Sequence, residues 1–211
     1  MTDGDQDGAP VNVTTLEQLR ELYAAPQERA VKKQIAALDV HCRSFIALSP
    51  FVVLATTDAD GNTDASPRGG PPGFVRIDAA GAVLIPDSPG NNRLDSLANI
   101  VATRRAGLLF LIPGFDETLR VNGAAVLSRA ADDIALCTNE RRAPKLVIKV
   151  EVEAAYLHCA KAFLRSRLWD PAARQDRKML PTAGRMISDQ TGIVVADETR
   201  EDMERRYAPD L

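Results

Sequence analysis

Residues 83–100 read VLIPDSPGNNRLDSLANI, and this stretch decides how the rest of the chain is interpreted. Its apolar beginning predicts a short buried strand, and the Pro, Gly and Asn residues that follow predict a turn. Apolar residues three positions apart then predict a helix over residues 92–103. Because a helix start offers free backbone N–H groups, an arginine beside it completes a candidate anion site.

Arg93 is the arginine of this candidate site. We expect Asn91 or Asn92 to cap the helix, which would place Arg93 in its first turn. An arginine there is electrostatically unfavourable, since the helix N-terminus is already positive, and a bound anion would remove the conflict. The alternative is an arginine that turns to solvent or pairs with Asp87. Asp87 in turn either accepts a hydrogen bond from a ligand or caps the turn.

A second arginine lies upstream in Ala65-Ser66-Pro67-Arg68-Gly69-Gly70. Arginine can hold a phosphate through two parallel hydrogen bonds, and a neighbouring glycine lets a ligand approach the backbone closely. The alternative is an exposed arginine in a glycine-rich loop. Two arginines and a turn rich in donors, both beside predicted strands, suit a ligand that carries a phosphate.

The surrounding sequence predicts five or six short strands joined mostly by tight turns, which is typical of an antiparallel barrel. Among these features are a buried strand at residues 51–57, a hairpin turn at Asp58–Asn62 and a turn or bulge at Asn122-Gly123. Helices are predicted from Leu16, over residues 28–38 and over residues 39–47. We interpret residues 1–13 as a disordered leader and residues 14–211 as one domain with an N-terminal helical arm. The predicted fold class is therefore mainly β, with helices flanking the barrel.

Composition narrows the function further. The 211 residues include 45% hydrophobic and 26% charged residues, and the net charge of −3 gives no reason to expect nucleic acid or an anionic membrane as partner. No apolar run approaches the length of a membrane span, and the acidic N-terminus does not resemble a secretory signal. These features predict a cytoplasmic protein that binds a small molecule.

Several kinds of catalytic or metal site are not supported by the sequence. Three widely spaced cysteines and two histidines do not predict a metal site. Glycine-rich Rossmann and phosphate-loop motifs are absent, as is the nucleophile motif of α/β-hydrolases. The run from His158 to Pro171 combines a thiol, several bases and the only tryptophan, so it either lies near a redox cofactor or packs as core.

The combined motifs resemble those of a known family. They are SPRGG at 66–70, LIPDSPGNNRLDSL at 84–97, GLLFLIPG at 107–114, TLRVNGAA at 118–125 and HCAKA at 158–162. Together they are similar to the pyridoxamine 5′-phosphate oxidase-like flavoproteins, and in particular to their subgroup of uncharacterised FMN-dependent enzymes. The resemblance implies a split antiparallel β-barrel, a homodimer, and FMN bound at the subunit interface.

The resemblance also implies which residues contact FMN. Ser66, Pro67 and Arg68 fall on the strand that runs along the cofactor, and Asn92-Arg93 replaces an Arg-Lys pair that holds its phosphate. The residues implied or predicted to bind the cofactor are Ser66, Pro67, Arg68, Pro86, Asp87, Asn91, Asn92, Arg93, Thr118, Lys161 and Trp169. Among these, Thr118 falls where the partner subunit contributes, and Lys161 and Trp169 fall in a segment that closes over the flavin.

The expected function is that of an FMN-dependent oxidoreductase, in which a reduced nicotinamide or a small organic substrate passes a hydride to the flavin. The true oxidases of this family have a long basic strand after the first hairpin, and in this sequence Gly69–Gly73 interrupts the corresponding strand. The C-terminal motif that holds the substrate phosphate in those oxidases is absent from this sequence. We therefore do not expect pyridoxamine phosphate as the substrate, and no catalytic residue is predicted. The alternative is a non-catalytic protein that binds or senses a flavin or haem.

Overall fold

The strand predicted at residues 51–57 forms with those bounds in the computed structural model, which describes residues 12–210. Its side chains alternate between the two faces, and Val52 and Leu54 are fully buried. The predicted leader lies outside the described residues, apart from its last two. Residues 12–34 and 35–210 belong to two compact units.

The first unit contains helices α1 (Leu16–Leu22) and α2 (Glu28–Lys32). The Thr15 hydroxyl accepts a hydrogen bond from the Gln18 amide, and the Gln18 side chain caps the Thr15 amide in return. The prediction of a helix over residues 28–38 is too long, because only the first five of these residues are helical. Ile35 is instead extended and exchanges two backbone hydrogen bonds with Ala155, of 3.0 and 2.8 Å.

The second unit is built on one antiparallel sheet with the strand order β2-β1-β5-β6-β7-β4-β3. The strands are β1 (Phe51–Thr57), β2 (Thr63–Gly69), β3 (Arg76–Ile77), β4 (Val83–Pro86), β5 (Arg105–Leu111), β6 (Thr118–Ser128) and β7 (Val147–His158). The helices of this unit are α3 (Val40–Leu48), α4 (Asp95–Thr103), α5 (Ala131–Cys137), α6 (Lys161–Ser166), α7 (Ala183–Thr191) and α8 (Arg200–Tyr207), of which α3, α4 and α5 pack on the sheet.

Chain connectivity forces this sheet to curl. β2 and β3 lie at opposite edges, yet only residues 70–75 join them. Six interstrand spacings would separate the edges of a flat seven-stranded sheet by about 29 Å. The extended chain from Gly69 to Arg76 reaches only about 25 Å. The edges must therefore approach each other, and the expected class, a split antiparallel β-barrel with flanking helices, is confirmed.

A β-bulge in β7, opposite Asn122 and Gly123 of β6, interrupts the long ladder between these two strands of the curled sheet. Asn122 pairs with Ala154 and Gly123 with Val152, so Glu153 has no opposite residue in the ladder. Glycine is required here because a Cβ atom at Gly123 would lie 1.8 Å from the Glu151 carbonyl oxygen. The predicted turn or bulge at Asn122-Gly123 is thus a bulge.

Apolar side chains from both halves of the sheet fill the barrel interior, together with α3 and α4. Phe110, Ile46, Leu54, Ile85, Leu119 and Ile148 are among the largest fully buried side chains of this core. α4 packs on β1 and β6 through Leu97 and Ile100. The core therefore fixes α4, and with it the residues that precede the helix.

Candidate functional site

A cavity of about 730 Å³ lies between β2, the end of β4, the loop at residues 87–94, the start of α4 and the loop at residues 142–145. This volume is in the usual range for a small-molecule site. Eight of the eleven predicted cofactor-binding residues line it: Ser66, Pro67, Arg68, Pro86, Asp87, Asn91, Asn92 and Arg93. Residues from two separate stretches of sequence are therefore brought together at one site.

The wall formed by β2 carries a row of polar side chains. Asp64, Ser66 and Arg68 alternate along the strand, so they share its half-buried face, and all three line the cavity. The Arg68 Nη1 donates to Ser66 Oγ at 2.8 Å and to the Pro67 carbonyl at 3.3 Å. Within residues 12–210, no carboxylate pairs with this guanidinium, so its charge is available to an anionic ligand.

The 87–94 loop ends in an unusual backbone geometry. Asn92 and Leu94 have positive φ angles of 61° and 62°, a region that residues other than glycine seldom adopt. The Asn91 side chain accepts a hydrogen bond from the Arg93 amide at 3.0 Å, which closes a turn before the helix. Strained backbone of this kind concentrates at ligand-binding sites.

The predicted helix start was wrong by three residues. α4 begins at Asp95 with Leu94 as its N-cap, because the left-handed conformations at residues 92 and 94 cannot continue a helix. Arg93 therefore precedes the helix, and its Nε contacts Asp95 Oδ2 at 2.9 Å rather than Asp87. The expected conflict between Arg93 and the helix dipole does not arise.

The start of α4 still contributes an anion-attracting surface. Leu94 to Leu97 line the cavity, and the Leu94 side chain offers no cap to the first N–H groups. Two hydrogen bonds hold this end of the helix on the sheet: Ser96 Oγ donates to Asp64 Oδ2 at 2.5 Å, and Asn99 Nδ2 donates to Thr56 Oγ1 at 3.0 Å.

A main-chain hydrogen bond fixes the position of Asp87. Its amide donates to the Leu146 carbonyl at 3.1 Å and so extends the pairing of β4 with β7. Within the described part of the chain, the Asp87 carboxylate makes no hydrogen bond that would cap the turn. The carboxylate therefore remains open to a ligand donor.

Sequence reasoning missed several residues of the cavity wall. Arg142, Pro144 and Lys145 line it from the loop before β7, and Asp64 and Asp210 also line it. The Arg142 Nη2 donates to the main-chain carbonyl of Asp210 at 3.0 Å. The basic run Arg141-Arg142 before a strand was a usable signal, whereas nothing local connects Asp210 to this site.

Three predicted residues lie away from the cavity. Thr118 is buried and stands opposite His158 in the β6–β7 ladder. Lys161 begins α6. The Trp169 indole donates to the Phe115 carbonyl at 2.7 Å and stacks on Phe163, with 5.7 Å between ring centroids. Within one chain, these residues do not form part of the same wall.

A second, more open depression of about 480 Å³ lies beside β1, β2 and β5. Its one arginine, Arg105, is bidentate to the Glu153 carboxylate, with distances of 2.7 and 2.6 Å. This pairing leaves no uncompensated cation among its lining residues. The first cavity is therefore the better anion site.

The cysteines and histidines offer no competing centre. Burial raises the pKa of the Cys42 and Cys137 thiols to about 11, so neither is a nucleophile near neutral pH. Residues 12–210 contain no group of three His, Cys, Asp or Glu side chains that could hold a metal ion. In the same range, no helix has the length and apolar character needed to cross a membrane.

Comparison with known structures gives matches of low sequence identity. The HupZ protein of Group A Streptococcus is 15% identical with a TM-score of 0.47, over 57% of this chain and 93% of that one. An FMN-binding protein from Syntrophomonas wolfei is 12% identical with a TM-score of 0.42, over 56% and 83%. HutZ, the haem storage protein of Vibrio cholerae, is 12% identical with a TM-score of 0.42, over 57% and 94%.

Comparison with protein families gives a clear result. No curated protein matches the chain. Residues 38–159 match the family model described as pyridoxamine 5′-phosphate oxidase, and they span α3 to the end of β7. This range covers more than half of the sequence and both main walls of the cavity. The chain therefore belongs to the pyridoxamine 5′-phosphate oxidase family.

Proposed function

We propose that this protein binds FMN in the 730 Å³ cavity and acts as an FMN-dependent oxidoreductase. The observation that carries the proposal is the convergence of Ser66–Arg68 with Pro86–Arg93. The sequence resemblance assigned these two segments to FMN, and they line one cavity that contains three arginines and a helix start.

The donor set fits a phosphorylated cofactor. Arg68 has no carboxylate partner among the described residues, and guanidinium groups bind phosphate through paired hydrogen bonds. Arg93 and the N-terminal end of α4 add positive potential at the same cavity. Bound FMN would supply the redox chemistry by accepting a hydride from a reduced nicotinamide or a small organic substrate.

The protein's own part would be to bind and orient the cofactor. The α4 start is held on β1 and β2 by Ser96 and Asn99, so the loop that carries Arg93 is anchored at one end. Aspartates are the acidic groups of the cavity wall, and none of them is assigned a proton-transfer role.

We further propose that the protein works as a homodimer in the cytoplasm, with FMN at the subunit interface. Thr118, Lys161 and Trp169 lie outside the cavity of their own chain, so a second copy would have to supply them. Phe115, whose carbonyl accepts a hydrogen bond from Trp169, is 50% exposed, and Leu157, which precedes the residue paired with Thr118, is 40% exposed. An apolar surface at this position is what a subunit contact would cover.

Haem is the less favoured ligand for this cavity. Its described lining residues include arginine, lysine and aspartate but no His, Cys, Met or Tyr, which are the usual ligands of haem iron. His158 belongs to β7 and faces the Thr118 position of β6. A non-catalytic flavin-binding role remains the alternative, since the cavity presents no evident acid–base pair.

The visible spectrum of the purified protein tests these functions. We expect flavin absorption after FMN addition and gel filtration, bleaching of that absorption by a reduced nicotinamide, and a dimer by light scattering. A protein that retains flavin but is reduced by no donor would support the binding role. A protein that retains no FMN would refute both flavin proposals, and a Soret band after haem addition would favour haem.

A further inference from the structure

Asp64 lines the FMN cavity, yet neither the sequence motifs nor the family comparison gives it a role. It lies on the half-buried face of β2, four residues before Arg68. A carboxylate would repel a phosphate, so its presence in this wall needs a physical explanation. The explanation begins with the contacts that hold it.

One oxygen of the Asp64 carboxylate is already committed. Oδ2 accepts a 2.5 Å hydrogen bond from Ser96 Oγ, and Ser96 is only 3% exposed. Thr56, which stands opposite Asp64 in the β1–β2 ladder, accepts from Asn99 one turn further along α4. Two bonds between the same helix and the same strand pair fix where the carboxylate lies.

The second oxygen, Oδ1, has no such partner. In the described part of the chain, no side chain or amide donates to it, and no Lys, Arg or His lies within ion-pair distance of Asp64. A half-buried carboxylate without a cation or a full set of donors is destabilising. A ligand that brings a hydrogen-bond donor to Oδ1 would offset this cost.

Arg68 and Asp64 give the two ends of the β2 wall opposite charges. In an extended strand, four residues separate two Cα atoms by about 13 Å. A ligand lying along β2 therefore meets the Arg68 guanidinium at one end and, at the other, the Asp64 carboxylate beside the start of α4, to which Ser96 joins it. This arrangement favours a molecule with an anionic group at one end and a neutral N–H or O–H on the order of 10 Å away.

We propose that Asp64 is a specificity-determining residue, which accepts a hydrogen bond through Oδ1 from a hydroxyl or imide N–H of the bound phosphorylated ligand. The inference rests on the proposed binding of FMN, whose ribityl hydroxyls and ring imide are donors of this kind. A ligand with only carboxylates at its edge would meet repulsion from Asp64 instead. The residue thus selects for donors as well as for charge.

Asp64→Asn tests the proposal through the sign of its effect. The asparagine carbonyl can still accept from Ser96, but its amide group faces the cavity as a donor and cannot accept from the ligand. If Asp64 only repels the phosphate, this change tightens FMN binding. If Asp64 accepts from the ligand, FMN binding weakens about tenfold or more, while binding of inorganic phosphate stays equal or becomes tighter.

Titration calorimetry on the full chain would measure both probes for the wild type, Asp64→Asn and Asp60→Asn. Asp60→Asn removes the same charge from an exposed position of the β1–β2 turn that does not line the cavity, so we expect FMN affinity within about threefold of wild type. Should Asp64→Asn fail to fold, Asp64→Ala, which removes the acceptor together with the charge, carries the same expectation.

The outcomes separate this inference from the function on which it rests. Weaker FMN binding with unchanged phosphate binding supports it. If the wild type binds FMN and the Asp64 variant binds FMN equally or more tightly, the inference is overturned but the proposed function stands. A wild-type protein that binds no FMN overturns the proposed function and the inference together.

Discussion

Two polar clusters of the barrel differ in how completely the chain satisfies them. In the first, the Lys149 cluster, Lys149 Nζ lies 2.9 Å from Asp78 Oδ2 and 3.3 Å from Asp133 Oδ1. Ser128 donates to the other oxygen of Asp133 at 2.6 Å, and the Ala82 amide donates to the other oxygen of Asp78 at 2.8 Å. Each carboxylate oxygen of this cluster has a partner.

The second cluster is the row of Asp64, Ser66 and Arg68 on β2. Its arginine contacts only a hydroxyl and a carbonyl, and its aspartate uses one oxygen. The difference teaches how to separate structural from functional polar groups. A network closed on itself joins elements of the fold, whereas one with open donors and acceptors in a cavity is completed by a ligand.

The largest expected effect on binding comes from Arg68→Ala. Loss of a charged hydrogen bond to phosphate should weaken FMN binding by about 1.5–3 kcal/mol. The free energy of unfolding without ligand should hardly change, because Arg68 closes no ion pair among the described residues. Fluorescence titration with FMN measures the effect, and Arg129→Ala, at an exposed position outside the cavity, is the control. Equal affinities of the two variants would contradict this assignment.

Lys149→Met should show the opposite pattern. Without the ammonium group, the carboxylates of Asp78 and Asp133 lose their cation, and we expect about 2 kcal/mol less stability. FMN affinity of the folded protein should stay within about twofold of wild type, because Lys149 does not line the cavity. Urea denaturation gives the stability. A loss of FMN affinity without a loss of stability would reverse the roles of the two clusters.

Arg93 should have a smaller effect than Arg68, because Asp95 partly neutralises it. We expect Arg93→Ala to weaken FMN binding by about 1 kcal/mol. Asp95→Asn removes the competing carboxylate and should tighten binding by a few fold. FMN titration at low and moderate salt measures both. If Asp95→Asn weakens binding as much as Arg93→Ala does, the ion pair supports the loop and Arg93 does not contact phosphate.

The smallest effect concerns pH. Burial alone would raise the pKa of the Asp78 carboxyl, but the hydrogen bonds from Lys149 and the Ala82 amide outweigh burial and leave the pKa below its ordinary value of 3.8. A lowered pKa in the folded state stabilises the protein above that value, and the contribution is lost as the pH falls through the folded-state pKa.

Asp78→Asn should therefore be less stable than wild type at pH 7 by about 1 kcal/mol, and this difference should shrink below about pH 4. Urea denaturation at pH 7 and pH 3 measures it. Asp60→Asn, at an exposed turn position, serves as control and should show no such convergence. A difference that is the same at both pH values would exclude ionisation of Asp78 as its cause.

Local sequence signals predicted most of the elements. The strand at residues 51–57, the Asp58–Asn62 turn and α3, whose two ends lie one residue from the predicted ones, all follow the sequence prediction, because neighbouring residues determine them. The early end of α2 could not be predicted from local sequence, because Ile35 pairs with Ala155, a residue 120 positions later in the chain. Long-range contacts decide such boundaries.

The site shows the same division. Arg68 and Arg93 could be selected by their local sequence context, although the α4 start could not, since the positive φ at Leu94 has no signal in residue type. Asp64 looked like an ordinary strand residue, and only packing against Ser96 gives it a defined position. The eight residues that line the cavity as expected come from the two motifs at residues 66–70 and 84–97, which indicate a common site only in combination.

The short link between the sheet edges also limits the width of the site. β2 and the end of β4 face each other across the cavity, and residues 70–75 tie β2 to β3, which pairs directly with β4. Phe74 packs so closely that a Cβ atom at Gly70 would lie 2.7 Å from it, so the link has little slack. The number of residues in this link thus limits the distance between β2 and β4. It therefore sets an upper bound on the width of any molecule that can bind between these two edges of the sheet.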